Sequence, residues 1–152
     1  MMLGLVSDSH DNVPMCEHVA DFFRERRVDT VFHLGDVTAP ESLRPFDGFP
    51  LVVIRGNNDD EPWPQTWQQE FAGVRIGATH GHLRGEMARL AKESDVLLHG
   101  HTHRRRADHD GACLLVNPGA LYRTPTHTCA LLELPSKRVV FYKVDEGGVS
   151  RL

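Results

Sequence analysis

The chain has 152 residues, of which 40% are hydrophobic and 25% are charged, and its formal net charge is −4. This length suits one domain around one hydrophobic core, and the composition is that of a globular protein rather than of a disordered or fibrous one. The acidic balance argues against a general nucleic-acid-binding module, because such modules are usually basic. We therefore expect no stable nucleic-acid binding.

Three cysteines are widely spaced and form no CxxC pair. This pattern argues against a zinc knuckle or a disulfide framework, and free thiols suit a reducing compartment. The sequence shows no signal-peptide pattern and no apolar run of roughly 20 residues. We therefore expect a cytoplasmic protein that does not contact a membrane.

Buried strands and amphipathic helices alternate in the first two thirds of the chain. In the predicted helix 14–27, Met15, Val19, Phe22 and Phe23 form one apolar stripe. In chain order we predict a strand at 3–6, the helix at 14–27, strands at 30–34 and 51–54 with a short helix near Ser42 between them, a surface loop at 59–65, a hairpin of strands at 67–71 and 74–79, a helix at 83–93 and a strand at 95–98.

The last third is predicted to be rich in strands, at 112–116, 126–134 and 138–144. No repeat, low-complexity tract or linker divides the chain, so we expect a single domain over 1–152. Helices that alternate with buried strands, followed by a run of strands, favour two packed sheets with helices outside.

Five predicted strands run directly into residues that can bind a metal ion. In α/β sheets, ligands bind at the carboxyl ends of the strands, where successive loops converge. Each motif alone is most often a turn or a buried polar residue with a partner, but their joint occurrence at strand ends predicts one metal site. The motifs are Asp8-Ser9-His10, Gly35-Asp36, Gly56-Asn57-Asn58-Asp59, His80-Gly81-His82 and His99-Gly100-His101-Thr102-His103.

Spacing within these motifs supports the metal site. Residues i and i+2 of an extended segment share a face, so Asp8 and His10 can reach one ion together. His101 and His103 can reach either one ion or two adjacent ions. His99 precedes the glycine of its motif, and we expect it to have a structural role.

This ordered set of motifs resembles the calcineurin-like metallophosphoesterase superfamily. The short length and the Asn117-Pro118-Gly119 turn resemble its small YfcE-like phosphodiesterase branch in particular. The resemblance extends from Asp8 to at least Gly119. It implies an α/β fold, a four-layer α/β/β/α sandwich of two mixed sheets with helices outside, and a dinuclear metal site between the sheets.

The resemblance also implies which residues hold the two ions. Histidine and carboxylate ligands together suit Mn, Ni, Co, Fe or Zn, and we expect Mn. Two such ions polarise phosphoryl oxygens and lower the pKa of a bridging water, which attacks phosphorus as hydroxide. The first ion would be held by Asp8, His10, Asp36 and His103, and the second by Asp36 as the bridge, Asn57, His80 and His101.

Asp36, Asn58, Asp59 and His82 are the predicted catalytic residues. Asp59 resembles an acidic residue of the superfamily that orients a neighbour rather than binding metal. Asn58 stands where many superfamily phosphatases have histidine, and its amide can hydrogen-bond phosphate but cannot deliver a proton. This departure favours phosphodiesters and activated leaving groups. His82 either contacts the substrate or only supports its neighbours.

The sequence therefore predicts a metal-dependent phosphoesterase that acts on a small phosphorylated substrate, with phosphodiesters favoured. Alternatives are a phosphomonoesterase or nucleotide pyrophosphatase on the same site, or a non-catalytic protein-interaction scaffold of the same fold. Arg104-Arg105-Arg106 either steers such a substrate or is a solvated loop. A homo-oligomer is compatible with the sequence.

Overall fold

Eleven strands form two mixed β-sheets in a computed structural model that describes residues 1–152. The first sheet has six strands and the second has five. In chain order the strands are β1 (Met2–Val6), β2 (Thr30–His33), β3 (Leu51–Val53), β4 (Thr66–Phe71), β5 (Val74–Thr79), β6 (Val96–Leu98), β7 (Arg106–Asp110), β8 (Cys113–Asn117), β9 (Thr128–Glu133), β10 (Arg138–Asp145) and β11 (Gly148–Arg151).

Each sheet contains three parallel strands and further antiparallel strands. The first sheet has the order β11-β10-β9-β1-β2-β3, in which β1, β2 and β3 are parallel. The second has the order β4-β5-β6-β8-β7, in which β5, β6 and β8 are parallel. The parallel strands of each sheet end at a common edge, and their following loops carry the predicted metal-binding motifs.

Two α-helices cover the outer faces of the sheets. Helix α1 (Val13–Glu25) packs on the first sheet, and α2 (Glu86–Glu93) packs on the second. A 3-10 helix (Pro40–Phe46) lies between β2 and β3 and contacts α1. The arrangement is the four-layer α/β/β/α sandwich that the sequence predicts. No helix is long and apolar enough to cross a membrane.

Successive residues of β1 point alternately into the core between the sheets and into the layer under α1. Leu3 and Leu5 of β1 point between the sheets, whereas Val6 belongs to the cluster beneath α1. Gly4 faces α1 closely, since a Cβ at this position would lie 2.7 Å from the ring of Phe23. Each fully buried leucine contributes about 1.5–3 kcal/mol through removal of its side chain from water.

Three features differ from the sequence prediction. Helix α2 begins at Glu86 rather than at 83, because Gly85 takes a left-handed conformation (φ +80°) at its N-cap. Strands β7 and β11 were not predicted. Both are short edge strands without a fully buried residue, so they lack the apolar alternation that identifies a strand. They are held by pairing with β8 and β10.

Candidate metal centre

Backbone hydrogen bonds join the loops that follow the parallel strands. In the first sheet, the Asp8 N–H donates to the Gly35 carbonyl at 3.0 Å, and in the second the Gly100 N–H donates to the His80 carbonyl at 3.0 Å. One bond crosses between the sheets, from the His101 N–H to Asp8 Oδ2 at 3.0 Å. The ends of β1, β2, β5 and β6 therefore meet at one place.

Six of the seven predicted ligand side chains lie in one cluster. Donor atoms of Asp8, Asp36 and His80 all lie within 4.8 Å of one another, which is close enough to share a metal ion. The contacts run from His10 Nε2 to Asp36 Oδ2 (3.9 Å), from Asp36 Oδ2 to His80 Nε2 (3.5 Å), from His80 Nε2 to Asp8 Oδ1 (3.7 Å), from Asp8 Oδ1 to His103 Nε2 (3.3 Å) and from His80 Nε2 to His101 Nδ1 (3.3 Å).

Asp8 has a buried carboxylate oxygen that no protein donor satisfies. Its Oδ2 accepts hydrogen bonds from Ser7 Oγ at 2.5 Å and from the His101 N–H, whereas its Oδ1 is buried without a hydrogen-bond partner. Burial raises the pKa of Asp8 above its ordinary value, although nearby His80 acts in the opposite direction. A buried carboxylate rarely lacks compensation, and a divalent cation at Oδ1 would supply it. This oxygen fits a metal ligand.

Asp36 is a buried carboxylate with a different environment. Its Oδ1 accepts the backbone N–H of Asn58 at 3.0 Å, and its Oδ2 accepts the side-chain amide of the same residue at 2.9 Å. Burial alone would raise the pKa of Asp36, but hydrogen bonds from His80 and Asn58 lower it well below its ordinary value. Asp36 is therefore held as an anion between His10 and His80.

Hydrogen bonds to backbone carbonyls set the tautomers of two histidines. His80 Nδ1 lies 2.7 Å from the Leu34 carbonyl oxygen, and His103 Nδ1 lies 3.3 Å from that of Arg123. A carbonyl oxygen can only accept, so each Nδ1 carries a proton and each Nε2 is the nitrogen that faces the cluster. An imidazole oriented in this way can bind a metal ion through Nε2 once that nitrogen is deprotonated.

The backbone is strained at five of the predicted ligands. Non-glycine residues rarely take a positive φ, and each such residue costs of order 1–3 kcal/mol that the surrounding structure must offset. Such strain clusters at functional sites, and here it turns the side chains of successive loops toward one point. The five residues and their φ values are Asp8 (50°), His10 (47°), Asp36 (59°), His101 (74°) and His103 (60°).

Asn57 is the seventh predicted ligand. Its side chain is exposed and forms no hydrogen bond, whereas the next residue, Asn58, donates its amide to Asp36. His82 lies beside the cluster, with its ring centroid 5.4 Å from that of His80. Its Nδ1 is buried without a partner. The roles of all seven residues as metal ligands and of His82 in catalysis stay predictions.

The Asp59 carboxylate accepts hydrogen bonds from backbone N–H groups rather than facing the cluster. Its Oδ2 accepts the N–H groups of Asp36 (2.9 Å) and Gly56 (2.8 Å), and its Oδ1 accepts that of Thr38 (2.8 Å). The carboxylate is buried and ties the loop after β3 to the loop that carries Asp36. This position suits the predicted role of Asp59 in orienting a neighbour.

Sequence reasoning missed a buried link between two ligand-bearing loops. His33 Nε2 lies 2.8 Å from Ser9 Oγ, and its Nδ1 accepts the Gly35 N–H at 3.2 Å. His33 is fully buried, and this burial lowers the pKa of His33 to about 4. The sequence signal for this link was the position of Ser9 between two candidate ligands, Asp8 and His10.

Tyr122 is a second residue that the sequence analysis missed. Its ring lies 4.0 Å from that of His10 at an angle of 35° and covers one side of this candidate ligand. Tyr122 follows the Asn117-Pro118-Gly119 turn by three residues. Asn117 in turn donates its amide to the Gly100 carbonyl and to Thr102 Oγ1, both at 3.1 Å, so this turn supports the His101–His103 segment.

Comparisons with known proteins agree with this geometry. A family model described as the calcineurin-like phosphoesterase superfamily domain matches residues 1–137. A phosphodiesterase of Methanocaldococcus jannaschii is 31% identical to this chain, over 90% of the chain and 95% of the relative. Phosphodiesterase YfcE of Escherichia coli is 31% identical, over 80% of the chain and 79% of the relative.

Solved structures share the fold. The structure of an archaeal phosphodiesterase matches with a TM-score of 0.84 and 26% identity, over 94% of this chain and 99% of the other. Vps29 of Entamoeba histolytica matches with a TM-score of 0.80 and 23% identity, over 99% of this chain and 96% of the other, which shows the fold alone.

Fold, site and relatives together define a metal-dependent phosphoesterase. The chain belongs to the calcineurin-like phosphoesterase superfamily.

Proposed function

We propose that the chain hydrolyses phosphodiesters in preference to monoesters and that it uses two divalent metal ions, Mn²⁺ first among them. The observation that carries the two-ion proposal is the position of Asp36 Oδ2, which lies 3.9 Å from His10 Nε2 and 3.5 Å from His80 Nε2. A carboxylate oxygen that contacts two imidazoles suits a bridging ligand. Six clustered donor side chains also exceed the four protein ligands of a closed single-ion site.

In this proposal the first ion is held by Asp8, His10, Asp36 and His103, and the second by Asp36, Asn57, His80 and His101. Two such ions, when bound, polarise the phosphoryl oxygens and activate water. The protein positions these groups through the bonds that fix His80 and His103 in one tautomer and through the strained loops. Catalysis then depends mainly on placement and electrostatic stabilisation.

Asn58 supports the preference for diesters. It is exposed beside Asp36, and its amide N–H groups are not acidic enough to protonate an alkoxide leaving group. Alkyl monoesters, whose leaving groups need that proton, should be cleaved slowly, whereas diesters with good leaving groups should be cleaved well. Both relatives compared above are named phosphodiesterases, which agrees with this preference.

Hydrolysis of bis-p-nitrophenyl phosphate with added Mn²⁺ tests the proposal. We expect Asp36→Asn and His80→Ala each to lower turnover by about 100-fold or more, because each removes a ligand from the cluster. Asp60→Asn and His109→Ala are matched controls on exposed residues and should keep wild-type turnover.

Equal turnover in the wild type and in both cluster variants would exclude this site. Binding of two Mn²⁺ per chain, measured by calorimetry, would support the dinuclear centre, and one Mn²⁺ per chain would contradict it. A protein that binds no metal and shows no turnover would instead favour a non-catalytic scaffold of the same fold.

A cytoplasmic location is also part of the proposal. Cys16, Cys113 and Cys129 are all buried and unpaired, as expected in a reducing compartment. Non-reducing mass spectrometry of the protein isolated from its source should find three free thiols, and a disulfide would contradict the proposal.

A further inference from the structure

A polar cleft begins at the metal centre. His103, whose Nε2 faces Asp8 in the cluster, is also one wall of a cleft of about 270 Å³. Arg104 and Arg105 form the next part of the wall, and the loop at Thr124–Thr126 lies opposite. A group bound in this cleft would therefore lie beside the reacting phosphate.

The charge of the cleft is positive and uncompensated. Arg104 and Arg105 are exposed and form no ion pair, whereas Arg106 is paired with Asp108 at 2.7 Å. No acidic side chain lines the cleft. Two free guanidinium groups on a protein with a net charge of −4 form a local site for an anion, and arginine is well suited to bind phosphate oxygens.

The lining also excludes some ligand classes. Apart from Pro125, every lining side chain is polar or charged, and no aromatic ring other than that of His103 faces the cleft. The Thr126 hydroxyl has no partner within the protein and is free to donate a hydrogen bond. A nucleobase or an acyl chain would need an aromatic or apolar wall, so the cleft fits a phosphate on a sugar or other polar backbone.

We propose that the cleft at Arg104 and Arg105 binds a second phosphate group of the substrate, next to the phosphodiester that is cleaved. This inference rests on the proposed function and makes it more specific. The substrate class is then a phosphodiester that carries an additional phosphate, such as a nucleotide ester with phosphates on two positions of its ribose.

Two matched esters test the subsite. One is the p-nitrophenyl ester of thymidine 5′-phosphate, and the other is the same ester with an added 3′-phosphate. In both, water attacks phosphorus, the bond to p-nitrophenolate breaks, and the released phenol is measured. We expect kcat/KM of the wild-type Mn²⁺ enzyme to be about five- to tenfold higher for the bisphosphorylated ester, and this ratio to decrease as salt is added.

The Arg104→Gln/Arg105→Gln double variant should reduce that ratio to about one. Arg138→Gln/Arg151→Gln removes two exposed arginines that form no ion pair on β10 and β11, and it should keep the wild-type ratio. A wild-type ratio near one, or a double variant that retains the preference, would overturn the subsite while leaving the phosphodiesterase proposal intact.

A binding measurement separates the subsite from catalysis. Calorimetric titration of the metal-free protein with inorganic pyrophosphate should show at least about fivefold weaker binding to the Arg104→Gln/Arg105→Gln variant than to the arginine control variant. If neither ester is cleaved but this difference is observed, the subsite stands and the proposed activity fails. Equal pyrophosphate affinities would overturn the subsite, whatever the turnover.

Discussion

Replacement of Asp59 tests how the protein holds its metal-binding loops. The Asp59 carboxylate accepts three backbone N–H groups, from Asp36, Thr38 and Gly56, at 2.8–2.9 Å. Asp59→Ala would leave these donors without a partner, at about 1–3 kcal/mol each, so we expect a loss of about 3–9 kcal/mol in the free energy of unfolding. This is a large part of the total stability of a typical domain, which is about 5–15 kcal/mol.

Asp59→Asn is a milder change and is better suited to measurement. An asparagine oxygen in the place of Oδ2 keeps the bonds to Asp36 and Gly56, but its NH₂ group then faces the Thr38 N–H. We expect a loss of about 2 kcal/mol in urea denaturation of the EDTA-treated protein, and Mn²⁺ affinity about tenfold weaker in calorimetry. Asp60→Asn, an exposed neighbour, should change neither quantity.

The two measurements together decide what Asp59 does. A loss of stability with unchanged Mn²⁺ affinity would mean that Asp59 supports the fold but not the geometry of Asp36. If Asp59→Ala lowered the unfolding free energy by less than about 1 kcal/mol, the three hydrogen bonds could not be a main link between these loops.

Two further predictions concern His33 and Asn58. Burial lowers the pKa of His33 to about 4, below the value of about 6.5 in an unfolded chain, so the unfolded state takes up the proton first as pH falls. The contribution of His33 to stability is therefore complete above about pH 6.5 and is lost between pH 6.5 and 4, by about 3 kcal/mol in total. Urea denaturation of the metal-free protein should show that His33→Gln reduces the pH dependence in this window by about one proton, and an unchanged slope would contradict the reasoning. Asn58→His adds a proton donor beside Asp36 and should raise turnover of an alkyl monoester, relative to bis-p-nitrophenyl phosphate, by about tenfold or more. Asn58→Gln, which keeps an amide, should give no gain, and an equal gain in both variants would exclude proton delivery.

The sequence predicts most of the fold because hydrophobic periodicity is clear in strands and helices whose inward-facing residues are fully buried. Leu3, Leu5 and the stripe of α1 are fully or almost fully buried, and such residues show the strand or helix period directly. Strand β7 shows the opposite case, since four of its five residues are exposed and only pairing with β8 defines it. Exposed edge strands form because of tertiary contacts, and these contacts cannot be read from a single sequence.

The candidate ligands were found for a similar reason. Each motif directly follows a buried strand, so the position of the strand fixes the position of the loop, and six of the seven side chains lie in one cluster. Asn57 and Asn58 mark the limit of this reasoning, because adjacent residues in a turn point in different directions that spacing alone does not determine. Spacing does not determine the link from His33 to Ser9 either, since it joins residues 24 apart in the chain.

The close packing of the metal-binding loops explains why glycine stands at two positions within them. A Cβ at Gly56 would collide with Asp36 Oδ1, and one at Gly100 would collide with Ser7 Oγ and Asp8 Oδ2. Without these side chains, the loop after one strand lies directly against the carboxylate of another, and backbone N–H groups can then hold Asp8 and Asp36. The backbone thus orients Asp8 and Asp36. The free-energy cost of placing two buried carboxylates together therefore arises during folding rather than during metal binding. The prediction that Asp59→Asn weakens Mn²⁺ binding follows from this argument, because Asp59 anchors the backbone N–H groups of both Gly56 and Asp36.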